Sequence, residues 1–228
     1  MSTGPSGYLT KQERIVVAGV DDLVIRSLLD RQQFFDPEGQ AQRLGISSAT
    51  WPLFGLLWPS GAYLAARLAA RPVRLGERIL EVGCGLGLAS LVGHRRGADV
   101  TASDNHPLTA SFLHHNLKLN QMAPIKYRHG PWLPASGRRH VMGRFDLIIG
   151  SDLLYDRDAS ALLGLFIGRH AAAAAEVWIV DPDRGNRPGF NRQMRALGFG
   201  VSEVRLDAAA GSDHLAYKGR MLTYARAG

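Results

Sequence analysis

The sequence predicts an α/β fold in which a mainly parallel sheet is covered by helices on both faces, and three observations carry that prediction. From residue 78 onward, short apolar strands alternate with helical patterns, the rhythm of βα units that lay parallel strands side by side. A glycine-rich turn, Glu81-Val82-Gly83-Cys84-Gly85-Leu86-Gly87, joins the first of these strands to its helix. An acid, Asp104, ends the second strand 21 residues after Gly83, at the position where such folds hold a ribose.

Each element follows from local pattern. Residues 1–10 are rich in Gly, Ser, Thr and Pro and are expected to be loose. RIVVAGVDDLVIRSLL (14–29) carries two β-branched runs around Val20-Asp21-Asp22 and predicts a hairpin, although its second run also fits a helix. From Asp36 to Ser60, Pro, Gly, Ser and Trp predict an irregular cover. SGAYLAARLAARP predicts a helix with Ser60 as N-cap and Pro72 beyond its end. RILEV (78–82), ADVTASD (98–104), IKYRH (125–129), FDLIIGSD (145–152), EVWIVDPD (176–183) and GVSEVRL (200–206) read as strands, and HLAYKGRMLTYARA (214–227) adds a last one. Helices are expected over LGLASLVGHRRG, ending at Gly97, and over HPLTASFLHHNLKLN. In the second, Pro107 sits in the first turn and Leu108, Phe112, Leu113, Leu117 and Leu119 recur at nearly helical spacing. Two more are expected at about 158–174 and 189–197, with Ala171 to Ala175 as a helix end. PWLPASGRRHVMG (131–143) reads as a loop.

With 228 residues, 46% hydrophobic and 21% charged, the chain is expected to be one ordinary globular domain. No apolar run reaches the roughly 18 to 20 residues of a membrane span, since the stretch 161–175 is interrupted by Arg169 and His170. The opening MSTGPSGYLTKQER lacks the apolar core of a secretory signal. Cys84 stands alone, which excludes an intrachain disulfide and a cysteine-built zinc site, so the cytoplasm is the expected compartment. The eight histidines show no metal-ligand spacing, and no metal is expected. The net charge of +7 comes from 27 basic residues, of which 23 are Arg, scattered along the chain. The only tight groupings, His94-Arg95-Arg96 and Arg138-Arg139-His140, are not interleaved with aromatics. An arginine-biased soluble protein is therefore preferred over a nucleic-acid binder, and an acidic protein surface stays open as a partner. Neither a membrane partner nor stable self-association is expected.

The turn after the first strand departs from the dinucleotide fingerprint: its glycines fall as G-x-G-x-G, with Leu88 where a third glycine of G-x-G-x-x-G would stand. Glycines there let the backbone approach a ligand closely. Glu81 beside the turn would repel a pyrophosphate but suits a ligand bearing positive charge. Asp104 has the geometry to accept from both hydroxyls of a ribose, or to cap the helix that follows, a role Asn105 would also fill. Loop and acid together indicate an adenosine-containing ligand without a critical pyrophosphate.

On these residues the chain resembles the class I, seven-stranded S-adenosylmethionine-dependent methyltransferases, whose first motif looks like LEVGCGLG here. More narrowly it is similar to methyltransferase family 16, which holds protein lysine methyltransferases and relatives described as predicted nicotinamide N-methylases. That similarity runs through LWPSGAYLA (57–65), the glycine loop, Asp104, Trp132, SDLLY (151–155) and VDPDRGNRPGF (180–190). The resemblance implies a Rossmann-like, seven-stranded sheet with an antiparallel last strand, with 1–57 as N-terminal extension and cover and 58–228 as the methyltransferase domain. It implies S-adenosyl-L-methionine as cofactor, with Glu81, Gly83, Gly85 and Gly87 around its methionine part, Asp104 and Asn105 at the ribose, and Trp58, Trp132 and Ser151 at its flanks. Pro131 stands where the family commonly has an acid before the Trp, a departure at the expected adenine position.

Asp152 and Tyr155 are the expected catalytic residues. In SDLLYD they follow a strand of the sheet and so come to its ligand-binding edge. As a methyl moves, positive charge leaves sulfur and appears on the acceptor nitrogen, and a carboxylate nearby stabilises it there. Asp152 would favour the charged form of a lysine, so its expected role is positioning and charge stabilisation, with Tyr155 walling the channel. Asp152 or Asp156 as a helix cap is the structural alternative. The expected activity is N-methyl transfer to a protein lysine. The alternatives are a small amine or N-heterocycle as acceptor, and a non-catalytic module that binds S-adenosylmethionine or nucleic acid.

Overall fold

The computed structural model describes residues 7–130, 132, 143–208 and 216–228. The expectations about Pro131 and about Arg138-Arg139-His140 lie outside these residues.

A hairpin opens the chain, with β1 (Thr10–Ile15) antiparallel to β2 (Leu23–Leu28). A four-residue helix α1 (Gln40–Arg43) and a 3₁₀ helix (Trp51–Gly55) form the cover before α2 (Pro59–Ala70). The βα alternation then runs β3 (Arg78–Val82), α3 (Leu88–Arg95), β4 (Asp99–Asp104), α4 (Thr109–Leu119), β5 (Lys126–His129), β6 (Phe145–Ser151), α5 (Arg157–His170), β7 (Ala171–Asp181), α6 (Arg187–Ala196), β8 (Gly200–Arg205) and β9 (Arg220–Arg226). The seven-stranded sheet has the order β5-β4-β3-β6-β7-β9-β8, parallel except for β9, which runs antiparallel to both neighbours.

Alternation along the central strands divides the core into two layers, because successive side chains point to opposite faces. Ile79, Leu147, Ile149, Trp178 and Val180 meet α2, α3, α4 and the hairpin. Leu80, Ile148, Val177 and Ile179 meet α5 and α6. β3 lies mid-sheet; the chain winds outward through β4 and β5, then crosses back to β6 on its other side. The connections that leave the carboxyl ends of β3 and β6 therefore run in opposite directions, and such a switch point leaves a crevice for a ligand.

Two local expectations are corrected. Ala171–Ala175 opens β7 instead of ending α5. Alanine favours a helix, but here Arg144 Nη1 donates to Ala171 O at 2.9 Å, and Arg226 donates to Ala172 O at 2.7 Å and Ala173 O at 3.0 Å. These guanidiniums satisfy the carbonyls that an extended backbone exposes, so tertiary partners override propensity. Ser60 is not the N-cap of α2: that is Trp58, with Pro59 at the first helical position. Ser60 is buried, and its hydroxyl shares a 2.9 Å hydrogen bond with the Tyr217 hydroxyl.

The hairpin is held to α4 by two asparagines one turn apart. Asn116 Oδ1 accepts from Arg26 N at 2.8 Å, and Asn120 Oδ1 accepts from Val24 N at 2.9 Å. Their amide nitrogens donate to the carbonyls of Arg26 and Val24. The side chains thus pair the free edge of β2 as a neighbouring strand would. Asn120→Ala strands both backbone groups of Val24 and is expected to lower stability by about 1–3 kcal/mol, read as a shifted denaturant midpoint with an unchanged m-value.

Candidate functional site

The glycine loop takes a left-handed path. Gly83, Gly85 and Gly87 have φ of 58°, 51° and 72°. A Cβ at Gly83 would stand 2.5 Å from Leu153 Cδ2, and one at Gly85 would stand 2.8 Å from the Phe54 carbonyl. Both conformation and space therefore exclude a side chain. Gly87 is the N-cap of α3. Asp104 at the end of β4 closes the loop: its Oδ2 accepts from Gly85 N at 2.9 Å and its Oδ1 from His106 N at 2.7 Å. Neither Asp104 nor Asn105 caps α4, whose N-cap is Leu108 without a side-chain bond. Burial raises the Asp104 carboxyl above its ordinary range, against the pull of these N–H donors.

Glu81 is buried beneath the loop, where its Oε2 accepts from Ser90 N at 2.8 Å and from the Ser90 hydroxyl. Burial pushes its carboxyl up to about 7; the Ser90 donors oppose the shift and the charge of Asp104 adds to it. Burial also raises the Cys84 thiol, so Cys84 is not an activated nucleophile.

SDLLYD divides its work residue by residue. Ser151 ends β6. Asp152 turns the chain with φ 60°, while its backbone N–H donates to Val180 O at 2.9 Å. Leu153 and Leu154 are buried in the core layer beneath α5. Tyr155 stands 56% exposed at the rim. Asp156 is the N-cap of α5, accepting from Asp158 N and Ala159 N. The cap alternative therefore holds for Asp156 but not for Asp152. Burial raises the Asp152 carboxyl, opposed by the nearby Ser60 hydroxyl and by Arg184.

A cavity of about 550 Å³ opens at the switch point, within the usual range for a small-molecule site. All the residues singled out from the sequence line it: Trp58, Glu81, Gly83, Gly85, Gly87, Asp104, Asn105, Trp132, Ser151, Asp152 and Tyr155. Trp58 Nε1 donates to Leu53 O at 2.9 Å, which fixes the indole at the start of α2. Among the lining residues that were not singled out as site residues are Phe54 and His106, and Arg184 comes from the DPDRG stretch of the family resemblance. His106 stacks on Phe54 with ring centroids 3.7 Å apart, and burial lowers its imidazole to about 3. His106 Nδ1 accepts from Leu108 N at 3.2 Å, whereas Nε2 is buried and has no partner among the described residues. Asn105 Oδ1 is likewise buried and unpartnered. Buried polar atoms without a bond among the described residues call for an explanation, and both residues line the cavity. In sequence, only the position of His106 two residues after Asp104 hinted at this.

Residues 53–187 match the family model described as lysine methyltransferase. The electron transfer flavoprotein β-subunit lysine methyltransferase of Rattus norvegicus is 27% identical over 191 residues, covering 82% of this chain and 71% of that protein. The calmodulin-lysine N-methyltransferase of Arabidopsis thaliana is 27% identical over 158 residues, covering 62% of this chain and 50% of that protein. Among solved structures, the magnesium protoporphyrin IX methyltransferase of Synechocystis PCC 6803 with bound S-adenosylmethionine superposes with a TM-score of 0.58 at 16% identity, over 86% of this chain and 95% of that one. A Thermus thermophilus 16S rRNA methyltransferase does so with a TM-score of 0.61 at 18% identity, over 96% of this chain and 51% of that one. At these identities the solved structures speak for the fold, and it is the family model, matched over more than half of the chain, that speaks for kinship: the chain belongs to the lysine methyltransferase family.

Proposed function

We propose that the protein is an S-adenosylmethionine-dependent N-methyltransferase whose acceptor is the side-chain nitrogen of a protein lysine. The observation that carries this reading is one cavity, at the carboxyl ends of β3 and β6, lined both by the acid-flanked glycine loop and by Asp152 and Tyr155. When bound there, S-adenosylmethionine supplies a methyl on a positively charged sulfur: the S–C bond breaks with its electron pair kept by sulfur, as the acceptor's lone pair forms the N–C bond.

The chain's own residues fit that ligand. Glu81 and Asp104 suit an ammonium and a ribose diol, and the unpartnered Asn105 Oδ1 and His106 Nε2 offer an acceptor and a donor to a polar base or sugar. Asp152 holds negative charge where the acceptor nitrogen becomes positive, and the proton that nitrogen carried passes to solvent. Trp58, Trp132 and Leu153 line the cavity with apolar surface and keep water from it. Tyr155, exposed at the rim, leaves room for a bulky acceptor whose lysine reaches inward. The curated relatives act on protein lysines by name, which favours the same acceptor class here.

Incubation with methyl-labelled S-adenosylmethionine and cell extract tests the acceptor. Label should enter the macromolecular fraction and emerge as N-methyl-lysine after hydrolysis. Label confined to small molecules would move the reading to a free amine or N-heterocycle. Binding without label transfer to either fraction would make the protein a non-catalytic module.

Glu81 makes donor binding pH-dependent. An ammonium ligand prefers the ionised carboxylate, and with Glu81 raised to about 7 the proton must leave first at lower pH. Affinity is therefore expected to fall roughly tenfold per unit as pH drops below about 7, and to fall again above about 8, where an α-ammonium loses its own proton. His106, lowered to about 3, stays neutral in this window. Calorimetry on Glu81→Gln should show weaker binding and no such slope.

A further inference from the structure

Asp152 does not face the cavity as a free carboxylate. Arg184, in the DPDRG loop after β7, places Nη2 3.1 Å from Asp152 Oδ1 and Nη1 3.8 Å from Asp181 Oδ2. One guanidinium thus spans acids from the carboxyl ends of two adjacent strands. Its loop is fastened on both sides: Arg184 N donates to Asp181 Oδ1 at 2.7 Å, and Asn186 Nδ2 donates to Leu154 O at 2.9 Å. Asp152 Oδ2 is buried and takes no hydrogen bond of good geometry among the described residues. A nitrogen entering the cavity therefore meets a carboxylate that Arg184 already holds through Oδ1.

That arrangement bears on a conflict built into methyl transfer to an amine. An acid beside an amine favours the ammonium, which has no lone pair with which to attack. A guanidinium stays charged at every working pH and disfavours a second cation beside it. Resting on the reading of the acceptor as an amine, we propose that Arg184 is a positioning residue of the acceptor site: lying between Asp152 and Asp181, it offsets part of the charge of Asp152, so that the acceptor nitrogen gives up its proton more readily and attacks as the neutral amine. The negative charge that Asp152 retains acts on the charge that develops during transfer. The other groups facing this cluster do not supply the missing charge. Asp181 is fully buried and carries the same sign as Asp152. Asp183 is already paired with Arg220 and Arg187. Tyr217, hydrogen-bonded to Ser60, is pushed up to about 12 by burial, and burial raises Tyr155 as well, with Asp104 and Asp156 adding to the shift.

The test is the pH dependence of kcat at saturating S-adenosylmethionine and saturating n-butylamine, the free equivalent of a lysine side-chain end, since kcat reports ionisations in the bound complex. In Arg184→Gln the ascending limb should move up by about one pH unit or more, so that turnover near pH 8 falls about tenfold and recovers at higher pH. Arg184→Lys should hold the limb near its original position. A uniform loss at every pH, an unmoved limb, or faster turnover at pH 8 overturns the proposal. A second measurement needs no turnover: the ¹³C carboxyl resonance of Asp152, assigned by its disappearance in Asp152→Asn, is titrated in the S-adenosylhomocysteine complex. It should titrate higher in Arg184→Gln than in the unaltered protein, and coincident curves overturn the proposal. If the curves separate but no protein lysine is labelled by the unaltered enzyme, the proposed acceptor fails while the coupling of Arg184 to Asp152 stands.

Discussion

Asp152→Asn is expected to lower methyl transfer by about 10²–10³-fold while leaving S-adenosylmethionine affinity nearly unchanged. The substitution keeps the shape of the side chain and an oxygen for Arg184, so the turn at Asp152 and its backbone bond to Val180 persist. What it removes is the negative charge at the point where the acceptor nitrogen becomes positive. That charge matters more in the transition state than in the neutral ground state, so the loss falls on kcat. Steady-state kinetics beside calorimetric titration separate the two effects. A matching loss of cofactor affinity would show that Asp152 belongs to the donor's half of the cavity.

Asp104→Ala is expected to act on the opposite half, weakening S-adenosylmethionine binding by about 10- to 100-fold, as the loss of a charge-assisted hydrogen bond predicts. Two causes combine in that figure. The carboxylate is the proposed ribose acceptor, and it also anchors the loop through Gly85 N and His106 N. Asp104→Asn distinguishes them, because the amide oxygen keeps one of these anchors while the charge is lost. If the asparagine variant binds S-adenosylmethionine as the unaltered protein does, the carboxylate is a structural brace only. Thermal melts of both variants report how far the loop itself loosens.

Much of the fold was legible because it is written in short-range pattern. The second β-branched run after Val20-Asp21-Asp22 is a strand of the expected hairpin, but its partner is Thr10–Ile15, mostly upstream of the expected first run. The expected end at Gly97 matches α3, whose C-cap is Arg96 with Gly97 at φ 84°. The apolar positions of α4 fall on one buried stripe through Phe112, Leu113 and Leu117. The pattern failed where distant residues decide the outcome. Ala171–Ala175 carries no signal for a strand, since its carbonyls are satisfied by Arg144 and Arg226 from elsewhere in the chain. Ser60 looked like a cap because it precedes a helical run, but Pro59 already starts the helix and Tyr217 takes the hydroxyl.

The site divides the same way. By itself the sequence determined which chemistry is present: a glycine turn bearing Glu81, an acid closing the second strand, and an acid and an aromatic after the fourth strand of the large sheet. These are one-dimensional facts, because strand ends in a parallel sheet share an edge and any residue written there arrives at it. Only the tertiary structure decided how those groups are charged and what they touch. Burial of Glu81 against Ser90, the stacking of His106 on Phe54, and the span of Arg184 from Asp152 to Asp181 each join residues from separate elements. The reason is physical: a side chain's chemistry is set by its type, but its ionisation and its free hydrogen-bonding capacity are set by desolvation and by neighbours that only folding brings together.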